Sequence, residues 1–180
     1  MTESETSTHG AQGLGPLFSE LYDELRALAA RRMGRAAQTL QPTALVHEAY
    51  VKLSRAHPLR FNDLEHFRAT AARVIRQVLV NHAAAAKTLK RGGDRLRVTV
   101  DEALLAAETN DVDLVALDAA LSKLADVDER QARVVELRFF GGLSMLEVAE
   151  QLGVSERTIQ ADWAVARAWL AWQMREEEGA

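Results

Sequence analysis

The stretch FRATAARVIRQVLVNHAAAAKTLKR, residues 67–91, contains neither glycine nor proline and is dense in alanine and other helix formers. A run this long without a breaker predicts one extended α-helix beginning near Asp63, with Gly92 and Gly93 stopping it. A long helix carrying Phe, Ile, Val and Leu at helical spacing cannot bury that face by itself. The rest of the chain therefore has to supply partner helices, and the first expectation is helix-on-helix packing.

The remaining pattern agrees. Leu17, Leu21, Leu25, Leu28 and Ala29 form a helical stripe that ends at Gly34. In QPTALVHEAYVKLSRA, Pro42 suits a first helical turn, and Leu45, Ala49 and Leu53 share one face. HPLRFND is a short loop between the second and third helices. Residues 94–113, DRLRVTVDEALLAAETNDVD, mix a short β-branched run with acidic residues and turn formers, so they read as a linker. Beyond it DLVALDAALSKLADVDERQARVVELRFFGG gives two helices, with Asp126 and Asp128 as turn and cap and Gly141-Gly142 closing the second. Ser144 with Glu147 forms a capping box before a further helix, and Ser155 caps the last one. The expected fold is all-α. It consists of two small helical domains joined by a flexible linker, the second a four-helix domain with a helix-turn-helix.

Composition restricts function more than fold. The chain has no cysteine, which excludes disulfides and thiolate chemistry, and no run approaches the roughly 20 apolar residues that span a membrane. Without an apolar leader at the start, the expected location is the cytoplasm. The net charge of -4 conceals an asymmetry: residues 12–98 hold 15 Lys and Arg against 7 Asp and Glu, whereas residues 113–180 hold 7 against 13. A basic block of this size suits phosphate binding. It also makes docking of the two halves on each other electrostatically favourable. Catalytic signatures are weak. His47-Glu48 lacks the second histidine of a zinc-protease helix, Lys90-Arg91-Gly92-Gly93 is a helix end and not a phosphate loop, and no metal or cofactor is implied.

The segment LSMLEVAEQLGVSERTIQADWAVARAWLAW, residues 143–172, carries a helix-turn-helix pattern. Ala149, Gly153 and Ile159 fall at the crossing, the turn and the locking position, with Val148, Leu152 and Val154 as shared core. The second helix should then expose Glu156, Arg157, Gln160, Ala161 and Ala164 to the major groove. Arg157 and Gln160 beside Glu156 and Asp162 make a thin base-reading set. Trp163, Trp169 and Trp172, on a helix with Val165 and Leu170, read as core.

The stretches QPTALVHEAYVKL, RQARVVELRFFGGLSMLEVAEQLGVSERTI and DWAVARAWL resemble the extracytoplasmic-function (ECF) branch of the bacterial sigma-70-type sigma factors, and the resemblance covers about Leu14 to Met174. It implies a disordered tail over 1–13, a region 2 domain over 14–91, a linker over 92–112 and a region 4 domain over 113–175. It implies a non-enzymatic subunit with two partners, core RNA polymerase, through its clamp coiled coil and flap, and promoter DNA. The residues matched to polymerase docking are Thr43, Leu45, Val46, Glu48, Ala49, Lys52 and Leu53. Those matched to the −10 element are Arg60, Phe61, Asn62, Phe67, Arg68, Arg73, Arg76, Gln77 and Asn81. Those matched to the −35 element are Ser155, Glu156, Arg157, Thr158 and Gln160. Physical reading adds that Phe61 or Phe67 can stack on an unpaired base, with Phe67 equally suited to a core, while Arg68, Arg73, Arg76, Lys87, Lys90 and Arg91 supply charge along a strand.

Two departures from the family pattern stand out. Where relatives carry acidic residues at the start of the docking helix, this chain has Gln41-Pro42-Thr43. A phosphate on Thr43 would restore negative charge at a helix start, so a Ser/Thr kinase becomes a candidate partner beside an anti-sigma factor; as a plain helix cap Thr43 needs neither. Basic residues are also sparse at Ala84, Ala86, Gln160, Ala161 and Ala164. The competing reading is a stand-alone helix-turn-helix regulator that binds duplex DNA without polymerase.

Overall fold

In the computed structural model, residues 13–33, 41–55, 64–89, 97–99 and 111–178 are described. Three helices form the amino-terminal group: α1 (Leu14–Met33), α2 (Pro42–Arg55) and α3 (Leu64–Leu89). The apolar stripe of α1 is buried at Leu17, Leu21, Leu25, Leu28 and Ala29, and α2 buries Leu45, Val46, Ala49 and Leu53 against it. The long alanine-rich helix is α3. It presents Phe67, Ala71, Ile75, Val78, Leu79 and Ala83 to this core at steps of three and four. The loop HPLRFND and the glycines 92–93 lie outside the described residues.

Part of the segment expected to be a flexible linker is ordered as a small ribbon. Strand β1 (Arg97–Thr99) pairs antiparallel with β2 (Asp111–Asp113), Val98 opposite Val112. Its β-branched residues were the visible cue, and pairing over three residues satisfies backbone groups that a free linker would leave to water. Asp113, the last residue of β2, then accepts from Val115 N at 2.9 Å and so caps the next helix.

The carboxyl-terminal group is α4 (Leu114–Val127), α5 (Glu129–Val135) with a π-helical extension (Glu136–Phe140), α6 (Met145–Leu152) and α7 (Glu156–Glu178). Asp128 alone serves the α4–α5 junction. Its backbone N–H donates to Leu124 O at 2.7 Å, and its side chain accepts from Gln131 N at 3.0 Å. Asp126, expected to share that turn, is instead a residue of α4, because one extended residue suffices to end one helix and start the next. In the π segment the backbone N–H of Gly141 bonds to Glu136 O at 3.2 Å, a five-residue reach. That widened turn brings Leu137, Phe139 and Phe140 inside, with the two Phe rings edge to face at 4.8 Å.

The two groups pack on each other. One apolar cluster runs from Leu17, Leu45, Phe67 and Ile75 through Leu114, Leu121, Phe139 and Phe140 to Ala166 and Leu170. A second joins Ala69 of α3 to Val134, Leu137, Leu143, Val148, Ala149 and Ile159. Small residues allow this approach: a Cβ added to Gly141 would lie 3.0 Å from Ala72 Cβ and 2.5 Å from Leu137 O.

Candidate DNA and polymerase interfaces

The helix pair at the carboxyl end is built as its sequence predicts. Ser144 accepts from Glu147 N at 3.2 Å while the Glu147 carboxylate accepts from Ser144 N at 2.7 Å, a complete capping box at the start of α6. These bonds to the ionised form hold the Glu147 carboxyl below its ordinary pKa, the Ser144 backbone donor being the main cause. Gly153 ends α6 in the left-handed conformation, φ 66° and ψ 32°, where a side chain would be strained. Ser155 then accepts from Thr158 N at 3.1 Å and opens α7. Val148, Ala149 and Ile159 are buried, with Leu152 and Val154 packed against them.

Beyond the turn, Glu156, Arg157, Gln160, Ala161 and Ala164 are all exposed along α7. Gln160 donates to Glu156 Oε1 at 3.2 Å, one helical turn away. Asp162 does not belong to this set. It is 6 % exposed and takes both guanidinium arms of Arg130, at 2.7 and 3.1 Å, pinning α7 to α5. Its charge is thereby cancelled, and the pairing raises Arg130 above its ordinary pKa. Trp163 and Trp169 pack partly into the core, the former with the Arg138 guanidinium 5.4 Å from its ring centre. Trp172 and Val165 are corrections to the core assignment: each is more than half exposed, since one helix cannot turn every apolar residue inward.

On α3 the residues matched to the −10 element divide three ways. Phe67 is fully buried and stacks edge to face on Phe18 at 6.5 Å, so its ring packs the core and offers no face to an unpaired base. Gln77 and Asn81 are exposed and bonded to each other at 2.9 Å. Arg73 is also exposed, its Nε 3.6 Å from Glu136. Arg68 and Arg76, by contrast, are engaged by carboxylates. Arg68 meets Glu147 at 2.8 Å and Glu24 at 2.9 Å; Arg76 meets Asp118 at 2.7 Å and Glu136 at 3.4 Å. Glu136, a buried carboxylate, is also bonded to Arg133, whose pKa burial lowers. Arg60, Phe61 and Asn62 lie outside the described residues, as do Lys90, Arg91 and the side chain of Lys87.

On α2 the matched docking residues fall on both faces. Leu45, Val46, Ala49 and Leu53 point into the core and shape the helix without offering surface. Thr43, Glu48 and Lys52 are partly exposed; Glu48 is held by His82 of α3 at 2.6 Å and lies 3.8 Å from Lys52. The outer face consists of Ala44, His47, Tyr50 and Val51. Tyr50 and Val51 were missed as surface candidates, although their offset from the Leu45, Ala49 and Leu53 stripe was a usable signal. Among the described residues no cluster of His, Cys, Asp or Glu could hold a metal ion, and no helix is long and apolar enough to cross a membrane.

An all-helical chain with a capped helix pair at its carboxyl end and a basic long helix before it has the build of a transcription-initiation factor. The family model for the ECF sigma factor matches residues 8–176, and the chain belongs to that family. Its role is therefore that of a sigma factor in transcription initiation, a DNA-binding one. Searches of characterised proteins and of solved structures gave no match.

Proposed function

We propose that this protein binds core RNA polymerase through the outer face of α2, directs it to particular promoters, and helps open them. In this reading residues 14–91 form the domain that docks on polymerase and captures the −10 element, and residues 113–175 form the domain that reads the −35 element. The observation that carries it is the α6–α7 pair. A capping box, a left-handed glycine and a serine cap fix the turn, and Arg157 and Gln160 stand exposed just beyond it, where a recognition helix places its base-reading side chains.

Docking carries a regulatory corollary. The first turn of α2 holds no acidic residue, and Thr43, its second residue, is partly exposed. Phosphate there would bring roughly two negative charges to a helix start. A Ser/Thr kinase thus becomes an activating partner.

In-vitro transcription with core polymerase on a genomic promoter library tests both parts. Transcripts are expected from a defined promoter subset only when the protein is present, and Thr43→Asp is expected to raise their yield several-fold. Tight duplex binding by the free protein, with no effect on polymerase, would support the stand-alone regulator instead. Equal polymerase affinity of wild type, Thr43→Asp and phosphorylated protein would remove the kinase.

A further inference from the structure

Arg68 and Arg76 sit on the strand-facing helix of the proposed −10 domain, yet both are about one-fifth exposed, and carboxylates of the opposite group cover them. Glu147 reaches Arg68 from α6; Asp118 from α4 and Glu136 from the π segment reach Arg76. The pairing is reciprocal, because Arg133 of α5 donates to Ala69 O of α3 at 3.2 Å. Below the charges lies a dry layer in which Ala69 and Ala72 meet Leu137 and Gly141.

We propose that this arrangement is an autoinhibitory clasp: the free protein is held closed by carboxylates that occupy the guanidinium donors a DNA phosphate would use. A carboxylate and a phosphate oxygen take the same N–H donors in the same geometry, so one excludes the other at a given arginine. The apolar layer supplies adhesion, and the ion pairs fix its register. Binding of a strand along α3 thus requires the carboxyl-terminal group to leave, and the apparent DNA affinity of the free protein is reduced by the fraction of time it is open. The DNA side of this inference rests on the function proposed above; the closed state does not.

The test uses the full chain, which has no native cysteine. Cysteines placed at the exposed positions Asp23 and Glu150 carry a donor and an acceptor dye. Wild type should show one short-distance population. Asp118→Arg should move most molecules to longer distances, and adding Arg76→Glu should bring them back. By anisotropy, Asp118→Arg should bind a mixed-sequence single-stranded oligonucleotide about tenfold more tightly than Asp126→Arg, which adds the same charge away from the clasp. Should Asp118→Arg lose its helical signal, Glu147→Gln is the milder variant. It keeps the cap's shape, frees Arg68, and should open a smaller fraction. The clasp is refuted if the folded variants keep the wild-type distance, or if they open without gaining affinity beyond Asp126→Arg. A clean opening in a protein that never supports transcription would uphold the clasp and sink the sigma-factor mechanism, since the distance readout needs neither polymerase nor promoter.

Discussion

The two surfaces that qualify for DNA contact differ in how free they are. Helix α3 belongs to the basic half of the chain, yet Arg68 and Arg76 are tied to carboxylates 42 to 79 residues away in sequence. Helix α7 belongs to the acidic half, yet its first turns stand clear of the core and its one inward carboxylate, Asp162, is neutralised by Arg130. Charge count and charge availability therefore run in opposite directions in the two halves. What a basic block can bind depends on which of its cations are already occupied.

The contrast can be broken most forcefully at the shared core. Phe140 is fully buried in the cluster that joins both groups, so Phe140→Ala should cost about 3–5 kcal/mol in denaturant unfolding. Because all three tryptophans lie in the carboxyl-terminal half, wild-type tryptophan fluorescence and total helicity should report one coincident transition. Two separated transitions would show that the groups fold independently and that their contact adds little.

A smaller effect is expected at the joint between the two surfaces, where Glu147 both completes the capping box and faces Arg68. Ser144→Ala should cost about 1 kcal/mol. Since the folded protein holds the Glu147 carboxyl below its ordinary pKa, its contribution is complete above the unfolded-state pKa and is lost as pH falls through the depressed folded value. The stability gap between wild type and Glu147→Gln should accordingly narrow on acidification. A gap that widened in acid would mean the carboxylate is strained in this site, not favoured.

The smallest effect on stability belongs to α7's outer face. Arg157→Ala with Gln160→Ala should change unfolding by less than about 0.5 kcal/mol, yet redirect promoter choice in a transcription assay. Unchanged promoter choice would place −35 reading elsewhere.

Much of this architecture was legible from periodicity. The stripes of α1 and α2, the breaker-free α3, the Ser144–Glu147 box and the Gly153 turn all rest on local physics, the spacing of apolar side chains and the needs of helix ends. The misreadings share a different origin. Asp162 was taken for an exposed acid and Phe67 for a possible stacking ring, but the partners that bury them, Arg130 and Phe18, stand 32 and 49 positions away. Trp172 illustrates the reverse: its residue type suggests burial, while its angular position on α7 leaves it outside. The charge asymmetry made docking of the halves favourable in sum, but only the docked geometry says which arginine meets which carboxylate.

The π-helical segment between Glu136 and Phe140 sets a phase as well as a contact. An α-helix turns about 100° per residue, so removing one residue there and restoring ordinary helical winding would swing everything downstream by about that angle around the α5 axis. The aim of α7's outward face is thus encoded in the length of a five-residue stretch that never approaches DNA, and a one-residue deletion there would redirect that face without altering a single side chain on it.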